Sequence, residues 1–473
     1  MQDMAAGLVE RIADLVQAPP ALSEQDRADV LTAFADTLAC IHAGWHEPVS
    51  RRVASAWRGG AHPLLDGTTA PTAEHAALIT ATAGHALDYD DVHLESTTHP
   101  SVVIIPALLA MQAAGSYDQA RLGPAFAVGL AVNVAIGRTL GFAHYRRGWH
   151  ATSTIGPLAG AAALAHLMGF DATTTRHALA MAAAQSGGLQ RNFGAMAKPA
   201  QAGFGAAAAV RAAMLAQVGL TAAEDIFAPG GFFDLYGGDA GATERGAVAA
   251  LDARPGGIAR KLFPCCYATH RLIAAALAAR AAFGGAVPAE AEVTLLVPAG
   301  GMQPLRSTLP GTGLEAKFSA EYTVAVALWR GAVGLSDFED EAVEAPEAAQ
   351  RMARVRVIEE APGNDGIVDL EHGSARLSVA LGGAVVARGE AGASPGSPAR
   401  PATEAEMAAK IADCLARCGA NGGRMLSPED FMDSLRRQLE PGAPGASAVR
   451  LTLSPPANSP PERRRVTPGA RRG

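Results

Sequence analysis

Residues 84 to 109 read GHALDYDDVHLESTTHPSVVIIPALL and set three Asp, one Glu and three His between two apolar segments. In a chain with only 18% charged residues, this is a dense gathering of titratable side chains. Such groups suit general acid and base chemistry, although Asp, Ser, Thr and Pro also serve as ordinary loop and cap residues. The flanks of the stretch favour chemistry. PTAEHAALITATAGHALD predicts a helix with Thr72 as N-cap and Glu74 in its first turn, and Ser101 or a residue just beyond caps a second helix that has begun by Pro106. His99 then lies at a helix N-terminus, where exposed amides and the positive end of the macrodipole favour anions and disfavour protonated imidazole. The expectation is one wall of an anion site.

Three other segments repeat the arrangement of a potential cation at a helix start. In GWHATSTIGPLAGAAALAHLMG, His150 precedes the candidate caps Thr152 to Thr154. In FGAMAKPAQAGFGAAAAVRAAMLAQVG, Lys198 precedes Pro199, a good first helical residue. In KLFPCCYATHRLIAAAL, Thr269 is the candidate cap and His270 stands in the first turn. Each alone has an ordinary reading, a satisfied His or a solvated Lys. Together they predict a pocket for a substrate with several carboxylates.

These residues need a scaffold, and 473 residues exceed what one hydrophobic core spans, so two domains are expected. At 49% hydrophobic and a net charge of -7 the chain is neither disordered nor basic enough for a nucleic-acid footprint. Five Cys form no disulfide framework, and Cys414 with Cys418 is an i,i+4 pair, which fits a reducing cytoplasm. The start, MQDMAAGLVERIADLVQ, lacks the features of a signal peptide, and AFAVGLAVNVAIG is shorter than the roughly 18 residues a membrane span needs, so no membrane partner is expected. The reading is mainly α. Residues 1–270 form a large helical domain. Residues 271–399, with strand-like AEVTLLVP, RMARVRVIEE and SARLSVALGGAVVARGE, form a smaller inserted α+β lid. ASPGSPARPAT reads as a linker, residues 400–440 as helices capped by Thr403 and Ser427 that return to the first domain, and 441–473 as a disordered tail.

DYDD with THPS, GWHATSTIG, GAMAKPAQAG, KLFPCCYATH and AKFSAEYTVAVAL resemble, in order, the landmarks of the MmgE/PrpD family. That family includes 2-methylcitrate dehydratases, cis-aconitate decarboxylases and iminodisuccinate epimerases. The resemblance implies a helical domain with an α+β lid, a site between them, a homodimer, and no metal or organic cofactor. It places active-site landmarks on Asp88, His99, His150, Lys198 and His270, with Tyr322 joining Lys198 and His270 in substrate binding. Val92 replaces a frequent Thr, Gln201 replaces a frequent His at a probable substrate contact, and the region before His99 is one residue longer than in some relatives. The implied chemistry is proton transfer at carbon next to a carboxylate of a di- or tricarboxylate, with 2-methylcitrate-type dehydration first and decarboxylation or epimerisation as alternatives. Two rivals are a metal hydrolase built on His93, Glu95 and His99, and a non-catalytic carboxylate-binding protein.

Overall fold

The computed structural model describes residues 2–115, 117–237, 251–306, 309–362, 370, 372–420 and 427–439. Its first half is helical: α1 (Gln2–Gln17), α2 (Glu24–Gly44), α3 (Pro48–Ala56), α4 (Ala73–His85), α5 (Ser101–Ala114), α6 (Leu122–Arg146), α7 (Ala151–Met168), α8 (Ala172–Ala183), α9 (Ala197–Gln217) and the short α10 (Phe232–Tyr236). Small residues set the spacing of this bundle. A Cβ at Gly203 of α9 would collide with the Leu78 carbonyl and Thr82 Oγ1 of α4, so those two helices meet at backbone distance. Every residue of α7 from Ala151 to Leu167 is buried, which is why its sequence lacks a polar face. The long apolar α6 is also an internal helix, although it has the length and hydropathy of a membrane span. Its buried Asn133 donates to Ser96 Oγ at 3.1 Å and Thr98 Oγ1 at 2.8 Å, tying α6 to the titratable stretch.

Helix starts depart from the expected caps in an informative way. Thr72 caps α4 as expected, accepting from the His75 amide. Ser101, expected to cap, is instead the first residue of α5, and Pro106 lies inside the helix. The capping group comes from ten residues upstream: Asp91 Oδ1 accepts the Ser101 backbone amide at 3.4 Å, while Oδ2 accepts the Ser101 hydroxyl at 2.5 Å and Arg260 at 2.6 Å. His150 itself occupies the N-cap position of α7, ahead of the threonines expected there. Lys198 and Pro199 fall two positions further in, as the second and third helical residues, since α9 begins at Ala197. Thr269 makes no side-chain cap; its hydroxyl donates to the Cys266 carbonyl at 2.7 Å within a short 3-10 turn.

After α11 (His270–Phe283) comes a four-stranded sheet in the order β4-β3-β5-β6, where β1 (His62–Pro63) and β2 (Thr69–Ala70) are a separate small ribbon. β3 (Glu292–Val297) pairs in parallel with β4 (Val355–Glu359) and antiparallel with β5 (Ala375–Leu381). The third strand-like segment is a hairpin, β5 with β6 (Ala384–Ala391), because Gly382 and Gly383 adopt the two positive φ angles, 56° and 80°, that a tight turn of matching twist requires. α11 and α12 (Ala320–Arg330) pack beside this sheet. The first half of ASPGSPARPAT is packed rather than solvated: residues 394–397 are buried, and the Gly396 carbonyl accepts the Arg260 amide at 2.8 Å, while residues 398–401 are exposed. Pro and Gly serve close-fitting turns as well as linkers, so composition misled there. α13 (Glu404–Ala420), capped by Thr403, lies against α2, and α14 (Pro428–Leu439), capped by Ser427, buries Phe431 and Leu435. The expected tail, 441–473, lies outside the described residues.

Candidate active site

Just past the end of α4 the chain turns at Asp88 with φ 52°, a left-handed conformation that costs an L-residue roughly 1–2 kcal/mol. The turn aims the carboxylate inward. Asp88 Oδ1 stands 3.0 Å from Lys198 Nζ and 2.5 Å from Lys261 Nζ. Burial alone would raise the Asp88 pKa, but the ammoniums of Lys198 and Lys261 more than offset it and hold the carboxyl well below its usual range. The two lysines differ. Burial wins at Lys198, whose pKa is lowered, whereas Lys261, closer to Asp88 and also donating to its carbonyl, is raised despite burial.

Asp90 gathers imidazoles as Asp88 gathers ammoniums. His85 Nδ1 lies 2.8 Å and His99 Nδ1 3.2 Å from Asp90 Oδ2, and the two rings meet edge to face with centroids 4.6 Å apart. Burial lowers His85 to about 4 even beside Asp90, so it is neutral and donates through Nδ1. His99 is the more accessible ring, its side chain 12% exposed, and its backbone amide donates to Thr152 Oγ1 at 3.0 Å. With Nδ1 turned to Asp90, Nε2 is the ring nitrogen left for proton transfer, 4.0 Å from Asp88 Oδ1.

His150 has the opposite proton arrangement. Gln201 Oε1 accepts the Leu189 amide at 2.7 Å and Asn192 Nδ2 at 3.0 Å, so the Gln201 amide nitrogen faces His150 Nδ1, 2.8 Å away, and donates to it. An accepting Nδ1 leaves the proton on Nε2. Burial and the neighbouring His85 and Lys198 keep this imidazole neutral, well below its ordinary pKa. His99 Nε2 is thus placed for proton transfer, and His150 offers an N–H.

Asp88, His99, His150 and Lys198 share one cavity, whose other walls include Val92, Leu94, Tyr145, Phe193, Tyr267 and Phe318. Lys198 Nζ sits 5.7 and 5.6 Å from the Phe193 and Phe318 ring centres, between the carboxylate and two aromatic faces. Three expected contacts do not line this cavity. His270 is buried behind Tyr267, stacked on it at 5.0 Å. Tyr322 donates its hydroxyl to the Asp337 carbonyl and packs on Phe338, because Ser319 starts α12 and leaves Phe318, the residue before the cap, to face the cavity. Gln201 acts through His150. Sequence reasoning passed over His85, Asp90 and Lys261; the rarity of Lys in the chain was a usable signal for the last.

The ligand atoms of His85, Asp88, Asp90 and His99 all lie within 4.8 Å of one another, a spacing compatible with a divalent ion. The donors are already committed, Asp90 to two imidazoles and Asp88 to two ammoniums that would repel a metal cation. This chemistry fits a metal poorly. The rival ligand set is not assembled either: His93 Nδ1 bonds Ser96 Oγ at 2.9 Å, and Glu95 pairs with Arg138 at the surface.

Residues 10–245 match the MmgE/PrpD N-terminal domain and residues 263–425 the MmgE/PrpD C-terminal domain. The chain belongs to the MmgE/PrpD family. Within it, the chain is 27% identical over 306 residues to the cis-aconitate decarboxylase of Mus musculus, covering 61% of each, and 26% identical over 298 residues to that of Homo sapiens, covering 60% of this chain and 61% of the relative. It is 30% identical over 216 residues to the cis-aconitate decarboxylase-like protein oryM of Aspergillus oryzae, covering 42% of this chain and 45% of the relative. The matches thus span about three fifths of the mammalian relatives' length, 61% in both.

Proposed function

We propose that this MmgE/PrpD protein is a lyase acting on a small tricarboxylate by proton transfer at carbon next to a carboxylate, without metal or organic cofactor. The observation that carries the reading is the sharing of one cavity by Lys198, His99 and His150, with His150 Nδ1 held by Gln201 and His99 Nδ1 beside Asp90. A substrate carboxylate docks on Lys198 and the His150 N–H. When the adjacent carbon loses a proton or carbon dioxide, charge moves onto that carboxylate, and the preorganised ammonium stabilises it. His99 Nε2 takes or returns the proton, held in orientation by Asp90.

Decarboxylation and dehydration differ in what leaves. In decarboxylation the carbon–carbon electron pair passes to the carbon, which is then reprotonated. In dehydration His99 removes the carbon-bound proton and the departing hydroxyl must be protonated. Decarboxylation of the cis-aconitate kind is the first reaction to test, on the names of the relatives above. Dehydration of the 2-methylcitrate kind, put first by the sequence motifs, is the second, and epimerisation the third. Incubation of pure protein with cis-aconitate, 2-methylcitrate and a panel of dicarboxylates in deuterated buffer, followed by NMR, tests the reading; no turnover and no carbon-bound deuterium with any of them overturns it. The same proposal takes the assembly to be a homodimer, with exposed Phe204, Met214, Leu215 and Val218 of the α9 region as surface it would cover.

A further inference from the structure

Of the chain's 39 Lys and Arg residues only four are Lys, at 198, 261, 317 and 410. Everywhere else the chain uses Arg. All four lysines are buried, at 0 to 4% exposure, and all four reach the same three residues. Lys317 Nζ donates to the Leu87 carbonyl at 2.9 Å, Lys261 Nζ to the Asp88 carbonyl at 2.8 Å, and Lys410 Nζ to the Tyr89 carbonyl at 2.7 Å, while Lys198 faces the Asp88 carboxylate. The cations arrive from separate parts of the chain: Lys198 from α9, Lys261 from the segment ahead of α11, Lys317 from just before α12, and Lys410 from α13, anchored to Asp36 of α2 at 2.5 Å. Lys317 and Lys410 also lie 4.5 Å from the Phe338 and Tyr89 ring centres, respectively.

The target explains the choice. Leu87 to Tyr89 follow the C-terminus of α4, where carbonyls lack helical partners and the macrodipole favours a cation. Asp88 is also left-handed, a strained conformation that persists only when its surroundings over-determine it. A compact ammonium with three donors fits between two carbonyls, as Lys317 does with Leu87 and Pro264, where a planar guanidinium would not.

We propose that Lys261, Lys317 and Lys410 are positioning residues that lock the Leu87–Asp88–Tyr89 turn, fixing Asp88 and Asp90 so that Lys198 and His99 meet substrate in register. This rests on the cavity reading above for its catalytic half but not for its structural half. Each lysine is replaced by Met in the full-length protein, and amide hydrogen exchange is followed by mass spectrometry. Exchange across residues 86–92 should accelerate roughly tenfold or more while the rest of α4 stays protected. On whichever acid the wild-type enzyme converts, kcat should fall roughly 10- to 100-fold with KM within about threefold of wild type, the mark of lost transition-state alignment. Arg at these positions should not restore kcat. A Met variant that fails to fold by circular dichroism is replaced by Gln, which keeps a donor to the carbonyl without the charge, and the same criteria apply. Wild-type exchange across 86–92 in all three variants overturns the proposal, as does unchanged kcat per folded molecule. If the wild type neither converts nor deuterates any acid of the panel, the functional reading fails while the exchange result still decides this one.

Discussion

Gln201 Nε2 donates to His150 Nδ1 across 2.8 Å, and through that bond a residue outside the cavity decides which nitrogen of His150 carries the proton inside it. Replacing Gln201 by Glu puts an acceptor opposite Nδ1 and should move the proton there, depriving the cavity of its Nε2–H. Turnover should fall roughly 10- to 100-fold, on the scale of one lost donor to a charged group. Nitrogen-15 NMR of His-labelled protein reads the tautomer directly. An unchanged tautomer in the Glu variant contradicts the assignment.

Lys198→Ala should remove about 3–4 kcal/mol of charge stabilisation and lower kcat roughly 100- to 1000-fold, by analogy with loss of one oxyanion donor. The measurement is steady-state turnover of the acid identified by NMR. A loss confined to KM would mean that Lys198 binds ground state and transition state equally.

His99→Gln should abolish incorporation of solvent deuterium at the substrate carbon, whereas His150→Gln should slow it without ending it. The asymmetry follows from the opposite proton positions on the two rings. Wild-type incorporation in the His99 variant would make another group the proton carrier.

Acid should destabilise the fold between about pH 6.5 and 4. His42, His85, His93 and His144 are each lowered to about 4, mainly by burial, so across that window the unfolded chain binds protons that the folded chain refuses. Their contribution is present above the ordinary histidine pKa and is lost as pH falls toward the folded value. Asp91, raised to about 6 by burial, works the other way, but it is one group against four. Thermal melts from pH 7 to 4.5 should show a falling Tm; a flat profile would refute the neutral buried histidines.

Dialysis against chelator should leave turnover unchanged, because the ammoniums near Asp88 occupy the place a metal would take. Loss of activity restored by zinc or iron is the opposing result.

The helix-start logic was legible in the sequence and led to the right place by partly wrong details. His99, His150 and Lys198 do meet in one cavity, each beside a helix start, although the caps proposed at Ser101 and Thr269 are not caps. Asp91 replaced Ser101 because a carboxylate folded back from a turn can outreach a local hydroxyl, and no local pattern encodes that. His270 and Tyr322 sit two and four residues past the cavity residues Ala268 and Phe318 but face away from the cavity, since one turn of helix or one stacked ring is enough to reverse a side chain's direction. The strand segments were visible from their β-branched residues, while the division of the last one needed the adjacent glycines to be read as a turn.

The confinement of lysine to the buried turn also changes how the folded protein meets amine chemistry. Acylating labels, amine cross-linkers and lysine-specific proteases find no exposed lysine side chain on its surface, since all four are at most 4% exposed. Cleavage after Lys261, Lys317 or Lys410 therefore reports opening of the molecule's interior, and its rate is a direct gauge of how often the centre of this protein comes apart.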